Sequence, residues 1–269
     1  MISLIKKYYL DPYIHLSICT AALTGFSFYA LSIASLWQYV SFVGVGTFLL
    51  YNYHRVFRFS ISDWKKWLKS RSAILPIFLT LLGIYFLGEQ VSKAYIPLSL
   101  ALLGCLLYFV PILEKRTKTF RELTWLKIFL IGFVFSIITS IIPAMNASYS
   151  WVEIFLIGLA RMLFISVLAL AFDIGDMLSD EDANTTTLPN KLGIKNAKWI
   201  GTFLIFIASM IEIYLANAFI IEFPALMIMM ITYFFSWIVL LKSSTSRSKY
   251  FYLFIVDGLI GLPFLLSFI

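Results

Sequence analysis

A series of long apolar runs constrains the fold of this chain more than any other feature. Nine runs are visible, at about 13–33, 36–54, 72–88, 94–112, 127–143, 151–171, 198–217, 223–241 and 250–268. Each is close to the roughly 20 residues that a helix needs to cross a bilayer. With 61% of its residues hydrophobic and 13% charged, the chain lacks the polar side chains to cover the surface of a soluble domain. Because lipid offers the backbone no hydrogen-bond partners, we predict a single all-α membrane domain over residues 1–269, with nine transmembrane helices.

The basic residues are concentrated on one side of these spans. Nineteen of the 21 lysines and arginines lie before span one or in the connections after spans two, four, six and eight. The positive-inside rule places those segments and the N-terminus in the cytoplasm, and the C-terminus outside. We therefore expect a multi-pass protein of a prokaryotic cell membrane, surrounded by membrane lipids. Membrane orientation accounts for the net charge of +7, so the sequence predicts no nucleic-acid partner.

An acidic segment follows span six directly. Asp173, Asp176 and Asp180 are spaced i, i+3 and i+7, so a helix that continues beyond the span carries all three carboxylates on one face. Like charges on one stripe repel, so the pattern indicates a cation site, and oxygen ligands favour Mg²⁺ or Ca²⁺ over zinc. Alternatively, the acids only solvate a loop and cap a helix end. A calcium loop starting at Asp180 is excluded, because Thr185 and Lys191 stand where glycine and a bidentate glutamate are needed.

The residues that follow the acidic segment carry a resemblance to a known family. The three aspartates followed by "TLPNKLG", residues 187–193, are similar to the second aspartate-rich motif of the UbiA-type membrane prenyltransferases. After span four, Tyr108, Lys115 and Arg116 resemble the family's tyrosine and Lys-Arg pair. The resemblance covers essentially the whole chain, and the number of spans and their orientation agree with it.

This resemblance implies a fold, a reaction and a set of site residues. The fold is a UbiA-like bundle of nine helices around a central cavity open to the cytoplasmic side. There Mg²⁺ binds the diphosphate of an isoprenoid donor, and a lipophilic acceptor captures the allylic cation left by its departure. No protein partner is predicted. The residues that the resemblance assigns are Asp173, Asp176 and Asp180 as metal ligands and catalytic groups, Lys115 and Arg116 as catalytic groups, and Asn52, Tyr108 and Lys191 as substrate-binding residues. To these we add Arg55 as a substrate-binding residue beside Asn52.

The first aspartate-rich motif of the family is degenerate in this chain. Asn52 is retained, but Tyr53 and Val56 stand in place of the carboxylates, and Arg55 and Arg58 add positive charge. In one hypothesis the arginines bind phosphate oxygens directly. In another, the chain is a catalytically altered relative that binds a lipid or quinone without prenyl transfer. A third is that these charges only keep the loop in the cytoplasm. An unrelated transporter is disfavoured, because the sequence shows no repeated halves.

Three charged residues lie within the spans, where charges are costly and normally pair or line a polar path. They are Arg161, Glu212 and Asp257. Arg161 precedes Asp173 by twelve residues, about 18 Å along a helix, which is too far for contact with the predicted metal. We predict that Arg161 forms a buried structural pair with Glu212 or Asp257.

Overall fold

A computed structural model describes residues 9–10, 13–34, 37–57, 94–109, 126–182 and 187–269 of the chain. For residues 52–57, 106–109 and 182 it describes the backbone alone. Each regular element in this part of the chain is helical. The helices are α1 (Ile14–Ala30), α2 (Trp37–Phe57), α3 (Tyr95–Phe109), α4 (Leu126–Ala144), α5 (Trp151–Asp182), α6 (Leu188–Leu192), α7 (Ile194–Asn217), α8 (Phe223–Lys242) and α9 (Lys249–Leu266).

These helices confirm the prediction of an all-α membrane protein. Each predicted span except the third coincides with a described helix, and the third, at 72–88, lies outside the described residues. Within the described part, five helices are long and apolar enough to cross a membrane, and α1 and α3 contain shorter apolar stretches. The count of nine spans therefore stays a prediction. One boundary differs, because α5 continues past the predicted end of span six at 171 and includes all three aspartates.

Helix α5 is the central helix of the described bundle. It packs against α4, α7 and α8, and its residues Ala160, Phe164, Val167, Leu170 and Ile174 are almost fully inaccessible. By contrast, α7 and α8 present large exposed apolar side chains on their outer faces. Exposed apolar side chains are expected on helices that face lipid, since lipid tails are as apolar as the side chains themselves.

Helices α4 and α5 approach each other closely at a glycine. A Cβ placed on Gly132 would lie 2.5 Å from the backbone oxygen of Met162 and would also overlap the hydroxyl of Ser166. That hydroxyl hydrogen-bonds to the Met162 carbonyl at 2.7 Å and lies 3.3 Å from the carbonyl of Ile128 on α4. Small residues at such a contact let two membrane helices approach closely, and here they fix the position of the first turn of α4 against α5.

Two π-helical turns interrupt the regular helices, at Ile137–Ile141 in α4 and at Tyr252–Val256 in α9. In each turn a side chain from another helix binds a carbonyl, as happens where local π geometry frees backbone groups inside a membrane. Tyr39 donates to the carbonyl of Ile138 at 2.6 Å, and His15 Nε2 lies 3.1 Å from the carbonyl of Phe254. Because a carbonyl only accepts, Nε2 of His15 carries the proton.

The ends of α1, α4 and α7 meet at one end of the bundle. Tyr149, in the connection before α5, donates its hydroxyl to the carbonyls of Leu31 and Ile220 at 3.1 and 3.2 Å. Burial raises the pKa of Tyr149, and the nearby carboxylate of Glu153 raises this pKa further, so the phenol remains a donor. Asp173, Asp176 and Asp180 lie at the opposite end of α5.

Candidate functional site

The acidic end of α5 is joined to the first turn of α4 by a buried ion pair. Nζ of Lys127 lies 2.5 Å from Oδ1 of Asp173 and 3.8 Å from Oδ2 of Asp180. Asp173 is 2% exposed and Lys127 is 8% exposed. We call these three residues the acidic cluster. One ammonium therefore faces two carboxylates, and the cluster keeps an excess of negative charge.

The twist of α5 explains which aspartates reach Lys127. At about 100° per residue, Asp180 lies only about 20° around the helix from Asp173, whereas Asp176 lies about 60° away. Asp176 is accordingly exposed, and it interacts electrostatically with Tyr252 on α9. The prediction that a helix carries all three residues is confirmed, but only Asp173 and Asp180 face Lys127.

Two carboxylate oxygens of the acidic cluster lack a hydrogen-bond partner among the described residues. They are Oδ2 of Asp173 and Oδ2 of Asp180, and both atoms are buried. A buried acceptor without a donor costs about 1–3 kcal/mol, and more when it is charged. Unsatisfied buried oxygens of this kind need an explanation, and a bound ion is one of the standard explanations.

The donor chemistry of the acidic cluster is compatible with Mg²⁺. This ion is usually bound through one or two carboxylates, with water and substrate phosphates completing the octahedron. Asp173 and Asp180 provide two such carboxylates. Within the described ranges, however, no three Asp, Glu, His or Cys side chains converge on one point. The assignment of Asp176 as a third ligand stays a prediction.

Lys127 is the site residue that the sequence did not single out. It appeared only as one of several basic residues before span five. The sequence did offer one indication of its role. Lys127 stands at the start of an apolar run, at the end of the bundle where the aspartates also lie. Contact with Asp173 depends on the packing of α4 against α5 at Gly132, which no sequence pattern describes.

The "TLPNKLG" segment holds the chain against the acidic end of α5. Thr187 is buried, and its hydroxyl donates to Oδ1 of Asn190. The amide of Asn190 in turn donates to the carbonyl of Met177 on α5 at 3.2 Å. Pro189 lies in the first turn of α6, where a missing N–H costs nothing. Gly193 has a φ of +81°, a conformation that side chains other than glycine rarely adopt.

Tyr252 of α9 attaches the connection between α8 and α9 to the same end. Its ring contacts Gly175 so closely that any Cβ there would overlap it, and it lies 5.7 Å from the ring of Phe172. The hydroxyl donates to the carbonyl of Ser244 at 2.8 Å and accepts from the N–H of Ser244 at 3.0 Å. The connection at 243–248 therefore lies beside the acidic helix.

The remaining predicted site residues are described to different extents. Lys191 is exposed on α6, beside the acidic end of α5. The ring of Tyr51 on α2 lies 5.2 Å from that of Tyr13, which directly precedes α1, so the last turns of α2 belong to this end of the bundle. Asn52 and Arg55 lie on those turns and Tyr108 lies on the last turn of α3, each described by backbone alone, whereas Lys115 and Arg116 lie outside the described residues.

A polar cavity lies nearer the opposite end of α5. Arg161 is buried there and donates to the hydroxyl of Ser27 at 3.4 Å, with its guanidinium 5.9 Å from the ring centre of Phe26. Glu212 lines the same cavity and accepts a hydrogen bond from Tyr233 at 3.1 Å. Arg161 and Glu212 line one cavity and interact electrostatically, but each hydrogen-bonds to other residues, so the predicted pair with Glu212 is not a direct ion pair.

Fold and site together define an all-helical membrane protein with a buried carboxylate–lysine cluster at one end of its bundle. No protein-family profile and no curated protein sequence matches the chain. Two solved structures share its fold. One, from work on the biosynthesis of digeranylgeranylglyceryl phosphate synthase in membranes, has 18% identity and a TM-score of 0.60, covering 95% of this chain and 97% of that one.

The other is the apo structure of a UbiA homolog from Aeropyrum pernix K1. It has 15% identity and a TM-score of 0.54, covering 95% of this chain and 98% of the other. The match over nearly the full length of both chains shows that this protein has the UbiA-type fold, as its motifs predicted. At these identities the likeness concerns the fold alone.

Proposed function

We propose that this protein is a UbiA-type membrane prenyltransferase that acts on an isoprenoid diphosphate and transfers the isoprenoid to a lipophilic acceptor. The fold supports the class of protein, and the acidic cluster supports the reaction. The cluster lies at the end of the bundle that the distribution of basic residues predicts to be cytoplasmic. A diphosphate head could bind there while its isoprenoid chain extends among the apolar helices.

The observation that carries this proposal is the buried, negatively charged acidic cluster, in which two carboxylate oxygens have no hydrogen-bond partner among the described residues. Charged groups inside a membrane bundle are expensive, and they usually mark an ion or substrate pathway. Most buried polar atoms in proteins have a hydrogen-bond partner, so a pair that served stability alone is expected to satisfy its buried oxygens. Asp173 and Asp180 therefore have capacity to bind a divalent cation together with its ligands.

One group of residues in this chain would bind the cation, and another would bind the diphosphate. Asp173 and Asp180 would bind Mg²⁺, with Asp176 at the exposed edge of the same stripe. The basic and polar residues that the sequence analysis assigned to the site would orient the diphosphate, and these are Asn52, Arg55, Tyr108, Lys115, Arg116 and Lys191. When bound, Mg²⁺ neutralises the charge that develops on the departing diphosphate. The apolar helices around the site exclude water, which would otherwise capture the allylic cation.

One observation favours a second candidate function, in which the protein binds a lipid or quinone without prenyl transfer. Lys127 already neutralises part of the acidic charge, and Tyr53 and Val56 occupy the positions of two carboxylates of the first motif. A site with fewer carboxylates and a resident ammonium has less capacity for metal. The two functions differ in whether the diphosphate leaves.

Diphosphate release distinguishes them. Purified protein in lipid nanodiscs, supplied with Mg²⁺, a prenyl diphosphate and a lipid extract as acceptor, should release inorganic diphosphate. Asp173→Asn should lower the rate by about a hundredfold or more, a loss of roughly 3 kcal/mol of transition-state stabilisation. Glu181→Gln is the matched control, because it removes one exposed charge from the same helix end. Release that is equal in Asp173→Asn and the unmodified protein, or absent from both, would contradict prenyl transfer at this site.

A further inference from the structure

The ammonium of Lys127 lies where a cation would bind between two carboxylates. Its Nζ is 2.5 Å from Oδ1 of Asp173 and 3.8 Å from Oδ2 of Asp180. The distance between these two carboxylate oxygens therefore cannot exceed the sum of those two distances. A metal ion that bound both of these oxygens would occupy the same region as the ammonium. The remaining oxygen of Asp173 is buried and has no hydrogen-bond partner in the described part of the chain.

We propose that Lys127 is a tethered cation that fills this position when no divalent ion is bound, and that its ammonium leaves when a divalent cation enters with a diphosphate. The exchange keeps a cation between the two carboxylates in both states. In the second state the displaced ammonium is free to contact the phosphate oxygens. This inference rests on the proposed function only in that the entering ion arrives with a diphosphate. Whether Lys127 occupies the cation position can be tested without any substrate.

Mutual exclusion follows from charge and size. Mg²⁺ binds carboxylate oxygens at about 2.0–2.1 Å, so an ammonium in hydrogen-bond contact with the same oxygens would be within a few ångströms of a doubly charged ion. At that separation the repulsion is large at any dielectric constant found in a protein. The ion and the ammonium therefore cannot share the two carboxylates.

The lysine side chain is suited to such movement. Its charge is carried at the end of a flexible four-carbon stem with three rotatable donors, so the ammonium moves by several ångströms without any change in the backbone. The backbone at this point is held in place, because Gly132 contacts Met162 and Ser166 one turn further along α4. An arginine could not vacate the position as easily, since its planar fork favours two parallel bonds to one carboxylate.

The competing explanation is a permanent structural ion pair. In that case Lys127 would stay on Asp173 in all states, and its removal would leave two buried carboxylates repelling each other without creating a useful site. The two explanations make opposite predictions about metal affinity.

The first experiment measures Mn²⁺ binding by electron paramagnetic resonance on the full-length protein in nanodiscs, with no substrate present. Lys127→Met removes the ammonium and keeps the length of the side chain, so it should bind Mn²⁺ about tenfold or more tightly than the unmodified protein. Lys195→Met is the matched control, because it removes one exposed positive charge on the same side of the membrane. It should bind Mn²⁺ as the unmodified protein does. The double variant Lys127→Met/Asp173→Asn should lose the gain in affinity.

The second experiment uses the unmodified protein, so that it does not depend on whether Lys127→Met folds. An amine-reactive reagent is applied with and without saturating Mg²⁺, and the modification of each lysine is measured by mass spectrometry. Lys127 should react slowly without Mg²⁺ and several-fold faster with it, because the ammonium has left its buried partners. Lys195 in the same digest is the internal reference and should not change.

Two results would overturn the inference. One is a Lys127→Met protein that folds and binds Mn²⁺ no more tightly than the unmodified protein. The other is a Lys127 reactivity that Mg²⁺ leaves unchanged. Neither measurement involves diphosphate release, so both can be interpreted even if the protein does not transfer a prenyl group.

Discussion

Substitution of Gly132 by alanine tests how the contact between α4 and α5 positions the acidic cluster. The added Cβ would lie 2.5 Å from the carbonyl oxygen of Met162, whereas carbon–oxygen contacts in proteins settle at about 3.3–3.6 Å. The obstacle is backbone, which cannot rotate away. The two helices must therefore separate locally by roughly 0.8 Å or more, the difference between that contact distance and the one present.

This separation has two energetic consequences. Overpacking of a close contact costs about 1–3 kcal/mol. The contact between the hydroxyl of Ser166 and the carbonyl of Ile128, already 3.3 Å long, would exceed hydrogen-bond distance and forfeit about 1 kcal/mol or less. We expect Gly132→Ala to lower the free energy of unfolding by about 2–3 kcal/mol, toward the upper part of the overpacking range.

The assay is reversible unfolding in mixed micelles, with increasing denaturing detergent, followed by circular dichroism. Gly46→Ala is the matched control, because Gly46 lies within α2 and a Cβ there would meet nothing within 4 Å. Alanine is the better helix former by up to about 1 kcal/mol, so this control should be neutral or slightly stabilising. If Gly132→Ala proved as stable as the unmodified protein, or no less stable than Gly46→Ala, the helix contact would not be as close as the structure indicates.

Two further predictions concern the topology and the ends of the bundle. A cysteine at exposed Ser148 should react with a membrane-impermeant thiol reagent only from outside, and one at exposed Ser246 only from inside; reaction of both from the same side would refute the predicted topology. Tyr252→Phe keeps the ring against Gly175 but removes the hydroxyl that binds both backbone groups of Ser244. The substitution should lower the free energy of unfolding by about 0.5–1.5 kcal/mol per lost hydrogen bond, and amide hydrogen exchange at 243–248 should become faster. Unchanged exchange there would show that the hydroxyl does not hold this connection.

The sequence alone determined the class of structure and the location of the acidic stripe. Backbone hydrogen bonds in lipid must be made within each segment, so a run of about 20 apolar residues specifies a helix without reference to its neighbours. The spacing of Asp173, Asp176 and Asp180 is likewise local, because helical periodicity converts it directly into a shared face. The resemblance of "TLPNKLG" and the preceding aspartates to UbiA-type motifs predicted the fold that the two solved structures share.

Only the tertiary structure decided which charges meet. Lys127 contacts Asp173 because α4 approaches α5 at Gly132, and Arg161 lies against Ser27 and Phe26 because of the rotation of α5 relative to α1. Helices that are apolar on most faces give no periodic signal of that rotation. In lipid, moreover, the hydrophobic effect does not select which face of a helix is buried, and close packing of small residues takes over that role. For that reason the sequence located the carboxylates, while the cation beside them was found only in the packed bundle.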